Sequence, residues 1–139
     1  MSNGCSKEVV TVEKIKAMGP YSLGIKAGQF VFCSGQTGHD LDTGKLVEGG
    51  VEAQTRQVMA RLSSILEAAG SSLSRVVKTT VFLTDINDFA RFNAVYAEFF
   101  PSEPPARSTF QVGALPGGAS VEIECIALRG EENNEDCGH

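Results

Sequence analysis

Arg107, Glu122 and Glu124 are the residues of this chain whose types and spacing best suit chemistry on a small anion. A guanidinium grips a carboxylate through two parallel hydrogen bonds, and a neighbouring carboxylate can take a proton from water or return one. Arg107 lies in Pro105-Ala106-Arg107-Ser108-Thr109-Phe110-Gln111-Val112, and the acids in Val121-Glu122-Ile123-Glu124-Cys125-Ile126-Ala127-Leu128. Both stretches alternate with a period of two. With the turn-formers Gly113-Ala114-Leu115-Pro116-Gly117-Gly118-Ala119 between them, they predict an antiparallel hairpin. Alternation puts Phe110 and Val112 on one face of the first strand and Arg107, Thr109 and Gln111 on the other. In the second strand Val121, Ile123, Cys125 and Ala127 oppose Glu122 and Glu124. If both apolar faces share one core, Arg107 shares a polar face with the two acids. Arg107 is then an anion clamp or the ion-pair partner of Glu124. Glu122 either manages the proton of an attacking water or is a solvated carboxylate, and the two acids could exchange roles.

The same face carries Ile126 and Leu128 beside the acids. A sheet face half charged and half apolar predicts cover by another subunit, which puts the site near a subunit boundary.

The rest of the chain must position these strands. Val9-Val10-Thr11-Val12 reads as an edge strand, and Met18-Gly19-Pro20-Tyr21-Ser22 as a turn. Gln29 to Gln36 is apolar on both sides over its first half, as expected of a central strand covered on both faces; Gly35 within it predicts close approach of a ligand or another backbone. Val51, Thr55, Val58, Leu62, Ile65 and Ala69 form a helical stripe that Gly70 stops. Val76 to Thr84 is β-branched and reads as a strand. Asp85 or Asn87 caps a second helix with Phe89, Phe92, Tyr96 and Phe99 on one side; Pro101 ends it. The expected order is β-β-α-β-α-β-β, an α+β domain over residues 1–129 with one twisted sheet and two helices on one face. Residues 130–139 read as an acidic, disordered tail.

The 139 residues suffice for one domain with a substantial core. Twelve Lys and Arg against 17 Asp and Glu give a net charge of −5, with no basic run, which disfavours nucleic acid as a partner. No stretch approaches a membrane span or a signal peptide, so the expected compartment is the cytoplasm, with an organelle such as the mitochondrion also allowed. Cys5, Cys33, Cys125 and Cys137 match no zinc spacing and read as free thiols. His39 reads as an exposed loop side chain and His139 as a tail residue, neither with metal-ligand company.

Taken in order, Gly19-Pro20-Tyr21-Ser22, Ser34-Gly35-Gln36, Val76-Val77-Lys78-Thr79-Thr80-Val81, Asp85-Ile86-Asn87-Asp88-Phe89, Asn93-Ala94-Val95-Tyr96, Pro105-Ala106-Arg107-Ser108 and Val121-Glu122-Ile123-Glu124 resemble the RidA (YjgF-type) family of reactive intermediate deaminases, formerly labelled L-PSP endoribonucleases. The resemblance implies a chorismate-mutase-like fold and a homotrimer with sites in the clefts between subunits. It implies hydrolysis of small 2-imino and 2-enamino acids, such as 2-iminobutanoate and 2-iminopropanoate, to 2-oxo acids and ammonia, with no cofactor or metal. By position, Arg107 matches the carboxylate-binding arginine and Glu122 the water-associated glutamate, while Tyr21, Ser34, Gly35 and Asn93 match pocket-lining residues. Thr109 stands where many members have cysteine, and Leu23 where many have glutamine. A ribonuclease or translation inhibitor, and a non-catalytic trimer that binds small carboxylates, are the competing readings.

Overall fold

The computed structural model describes residues 6–130; Cys5, Cys137, His139 and nearly all of the acidic tail lie outside them. Eight elements carry the architecture. In chain order they are β1 (Glu8–Val10), β2 (Gly24–Ala27), β3 (Phe30–Thr37), α1 (Gly50–Ala68), β4 (Val76–Leu83), α2 (Phe89–Phe99), β5 (Ala106–Gln111) and β6 (Val121–Leu128). The strands form one sheet in the order β1-β2-β3-β6-β4-β5. Neighbours are antiparallel except β4 and β5, which run parallel. Both helices pack on one face, so the α+β expectation holds, with one strand more than the sequence pattern suggested. That strand, β2, has only Ile25 as a large apolar residue. It is held by pairing with β3 across a turn in which Gly28 adopts φ +60°.

The expected hairpin between the last two strands does not form. β6 runs between β3 and β4 at the centre of the sheet, and β5 pairs only with β4 at the edge. Burial explains the choice. Val121, Ile123, Cys125 and Ala127 are all within 3% of full burial, a face that only a central strand can supply. β5 has no such face; its Phe110 is 53% exposed. The parallel β4–β5 pair needs a crossover, and α2 with the Pro104-Pro105 segment provides it. The turn-rich stretch after β5 instead carries the chain across the end of β4, where Val112 N–H donates to the Leu83 carbonyl (2.8 Å) and Thr84 N–H to that of Ser120 (3.1 Å).

α1 ends as its sequence predicts. Gly70 takes φ +81°, its N–H donates to the Glu67 carbonyl, and Ser71 N–H donates to that of Leu66. The Asp85 carboxylate accepts from Asn87 N–H (2.9 Å) and opens the turn that leads into α2. The stripe of α1 and the aromatics of α2 meet the β3, β6 and β4 side chains in one core, in which Val58, Met59, Ile65, Leu66 and Phe92 are fully buried. Cys33 and Cys125 are direct cross-strand partners and unbonded. The Cys33 contact and burial push the Cys125 thiol far up, the behaviour of an inert core thiol.

β3 is interior but is not covered on both faces within the chain. Phe30 and Phe32 stand 40% and 43% exposed beside Ile126 and Leu128. The helix-free face is therefore the half-apolar, half-acidic surface that the alternation of β6 predicted.

Candidate functional site: two half-sites

Register decides where Arg107 points. β4 lies between β5 and β6, with Thr79 paired to Arg107 on one side and to Cys125 on the other. Thr79 and Cys125 are buried under the helices, so Arg107 and Thr109 face the helical layer. Glu122 and Glu124 pair with Phe82 and Thr80 on the opposite face. The expected shared polar face is thus overturned: within one chain, Arg107 and Glu122 belong to opposite sides of the sheet. The alternative ion pair of Arg107 with Glu124 is absent for the same reason.

Arg107 rests on an aromatic cradle. Its guanidinium carbon lies 4.8 Å from the centroid of the Tyr96 ring and 5.5 Å from those of Phe89 and Phe92. α2 places these rings at steps of three and four, on the face that meets β5. Tyr96 is itself anchored, its hydroxyl 2.7 Å from that of Thr79, and burial raises its phenol pKa. Cation–π contact orients the guanidinium, the Tyr96 hydroxyl also interacts with it, and no described carboxylate pairs with it. Asn93, on the same aromatic face of α2, and Thr109, two residues along β5, each bury a side-chain oxygen that has no hydrogen-bond partner. Unsatisfied buried polar atoms are costly and few in folded proteins. Both atoms belong to α2 and β5, the two elements that position Arg107.

The second half-site is built on the β3 bulge, where the register of β3 against β6 slips between Cys33 and Gln36. Glu122 folds its carboxylate onto Gly35. A Cβ there would collide with Glu122 Oε2 and stand 2.8 Å from its Cδ, so only glycine leaves the seat open. The close approach that Gly35 predicted is thus made by a side chain. Burial first, then the neighbouring Glu124, pushes the Glu122 carboxyl pKa up. Ser34 donates its hydroxyl to the Ser22 carbonyl (2.6 Å) and its N–H to that of Leu23 (2.9 Å), which ties the loop before β2 to the bulge. That loop presents Tyr21, 47% exposed, its hydroxyl accepting from Met18 N–H (3.1 Å). Tyr21, Ser34, Gly35 and Glu122 line one cavity of about 1010 Å³. Leu23 reaches the same cavity but belongs to the core, 6% exposed.

Arg61 lines this cavity without being singled out from the sequence, as do Lys14 and Lys16, whereas Gln36 enters there only as part of a matched segment and His39 as a loop side chain. Arg61 borders the apolar stripe of α1, a position that helical periodicity alone reads as surface. His39 is half-buried rather than exposed. Its Nδ1 lies 2.9 Å from the Thr37 hydroxyl, and its ring packs against Gly117, whose φ is +64°. Among the described residues no cluster of His, Cys, Asp and Glu could hold a metal ion, and no helix is long and apolar enough to cross a membrane.

Fold and cavity together define a class: a one-layer sheet backed by two helices, with an acid-bearing hollow at one end and an unpaired arginine at the edge. The comparisons agree. The family described as Endoribonuclease L-PSP matches residues 11–129. The chain is 51% identical over 127 residues to "Reactive Intermediate Deaminase A, chloroplastic" of Arabidopsis thaliana, covering 91% of this chain and 68% of that one. It is 42% identical over 130 residues to the human "2-iminobutanoate/2-iminopropanoate deaminase", covering 94% and 95%. The solved RidA of an Antarctic Psychrobacter superposes with a TM-score of 0.83 at 44% identity, covering 87% and 98%. The chain belongs to the RidA (YjgF-type) family.

Proposed function

We propose that the protein hydrolyses small 2-imino and 2-enamino acids to 2-oxo acids and ammonia, and that it does so as a homotrimer. The observation that carries this reading is the separation of the two half-sites. One presents a guanidinium with no carboxylate partner among the described residues, the other a partly desolvated carboxylate in a hollow. A single chain cannot close them on one ligand; the Arg107 edge of one copy against the Glu122 cavity of the next can. The exposed Phe30, Phe32 and Leu128 on the helix-free face supply apolar surface for such an association.

In this assembly Arg107 holds the substrate carboxylate, with Asn93 and Thr109 at its flanks and Tyr21 over the opening. Water adds to the C=N carbon while Glu122 takes its proton, which gives a carbinolamine. Glu122 returns that proton to nitrogen, and the C–N bond breaks as the C=O bond forms. The hydroxyl proton passes to the freed Glu122 carboxylate, and the 2-oxo acid leaves with ammonia, which carries that proton away as ammonium. A carboxyl with a raised pKa suits these transfers near neutral pH. Free iminium ions already hydrolyse in water, so positioning and water activation suffice. The substrate enters as a product of amine-eliminating or amine-oxidising enzymes, in the cytoplasm or in an organelle. A net charge of −5 and the lack of any run of lysines and arginines in the sequence weigh against RNA as the substrate.

The test couples a threonine dehydratase to semicarbazide trapping. The wild-type protein is expected to lower the semicarbazone yield from 2-iminobutanoate; an unchanged yield sinks the reading. Arg107→Ala and Glu122→Gln chains, each inactive alone, should regain about a quarter of wild-type activity when refolded together, because one interface in four then joins an intact Arg107 to an intact Glu122. No recovery would mean that each chain owns a complete site.

A further inference from the structure

We propose that Arg61 forms a second anion subsite in the Glu122 cavity, one that selects 2-imino acids carrying an additional acidic group on the side chain. The substrate class rests on the deaminase reading above; the anion subsite itself does not.

Arg61 extends from α1 into the cavity that Glu122 and Tyr21 also line. Its Nε donates to Gln36 Oε1 (2.9 Å) and its Nη1 to the His39 carbonyl (3.0 Å). Gln36 is 3% exposed, so this anchor is rigid. Both acceptors are neutral, and Nη2 has no acceptor among the described residues. Burial lowers the Arg61 pKa, the nearby Tyr21 phenol offsets this only in part, and no described carboxylate pairs with the guanidinium. Asp40, Glu122 and Glu124 share the cavity, yet none comes within ion-pair distance. The contrast within the chain is direct: Arg56 pairs with Glu98, Arg91 with Asp88 and Arg129 with Glu8. A desolvated guanidinium held in place by neutral groups, with a free donor edge in a cavity, is the arrangement that receives an anion. A 2-imino monocarboxylate needs one guanidinium, which Arg107 supplies. Arg61 is a second, and a cavity of about 1010 Å³ has room for a longer acid.

The experiment uses the full chain in its native assembly and two readouts. In calorimetric titrations, succinate should bind about tenfold more tightly than butyrate, as expected for one added charge-assisted contact. Arg61→Gln should abolish that difference and Arg61→Lys should restore part of it. In turnover, the ratio of kcat/KM for 2-iminosuccinate to that for 2-iminobutanoate, each imine generated in situ by an amino-acid oxidase, should fall about tenfold in Arg61→Gln. A wild-type protein that does not distinguish succinate from butyrate would overturn the proposal. So would a variant that loses both substrates equally, because Arg61 would then only brace Gln36 and the His39 loop. If neither imine is accelerated, the deaminase reading falls and the succinate titration still decides Arg61.

Discussion

Arg107 and Arg129 are both arginines at or near the ends of the last two strands, yet their surroundings differ in every respect. The Arg129 side chain is 2% exposed, donates to the Gly28 carbonyl (3.2 Å) and pairs with Glu8 (3.1 Å). It ties β1 and the β2–β3 turn to the end of β6, and its charge is answered inside the chain. Arg107 is oriented by three aromatic rings and its charge is answered by nothing described. The first arrangement stabilises a fold; the second holds a donor ready. The same distinction separates the acids. Glu8 has its pKa lowered by Arg129 and Lys26, whereas Glu122 is raised by burial and by Glu124. A paired charge and a poised charge are told apart by what surrounds them, not by residue type.

The sharpest way to break this contrast is Arg107→Ala. Loss of a bidentate carboxylate grip is expected to cost about 3–4 kcal/mol in kcat/KM for 2-iminobutanoate, or roughly 10²–10³-fold. Far-UV circular dichroism and oligomeric state should stay unchanged; Arg129→Ala should do the reverse and lower the melting temperature. Next in size is Glu122→Gln, expected to lower kcat about 10²-fold and to remove the decline of activity on acidification. The same variant has a stability signature. A carboxyl whose folded pKa is raised above its unfolded value weakens the fold as pH rises through that interval. Glu122→Gln should therefore raise the melting temperature at pH 7 and leave it unchanged at pH 4. An increase at pH 4 as well would mean that charge is not the cause.

Gly35→Ala sharpens the comparison from the backbone side. The added methyl collides with the seated carboxylate, so Glu122 must swing out, and kcat should fall about tenfold while the pH dependence shifts toward that of an ordinary glutamate. The smallest effect belongs to Thr109→Val. This exchange removes an unsatisfied buried hydroxyl at constant volume and should stabilise the chain by about 0.5–1 kcal/mol in denaturant titrations, while KM rises a few-fold. Equal stability and unchanged KM would assign Thr109 to backbone geometry alone.

Much of this was legible in the residues. The stripe of α1, the aromatic face of α2, the glycine stop and the inward face of β6 follow from local periodicity, because burial on one side imposes the period of the element itself. Glu122, Gly35, Tyr21 and Ser34 were marked by position and do share a cavity. The neighbours of each strand were not legible. The pattern of Phe110 and Val112 against Arg107 and Thr109 looked like core against solvent, and it ran the other way. An edge strand has little burial to constrain its parity, and Arg107 found an aromatic cradle on α2. Arg61 escaped notice because a helix border position reads as surface until the sheet beside it is known.

The amino-acid sequence by itself determined both helices and five of the six strands, and it marked Arg107, Glu122 and Glu124 as candidates, since these depend on side chains a few residues apart. Only the tertiary structure decided that β6 lies between β3 and β4, that Arg107 turns away from Glu122, and that Arg61 turns into the cavity. Those outcomes depend on pairing between segments distant in the chain, where register is chosen by the total apolar surface that can be buried at once.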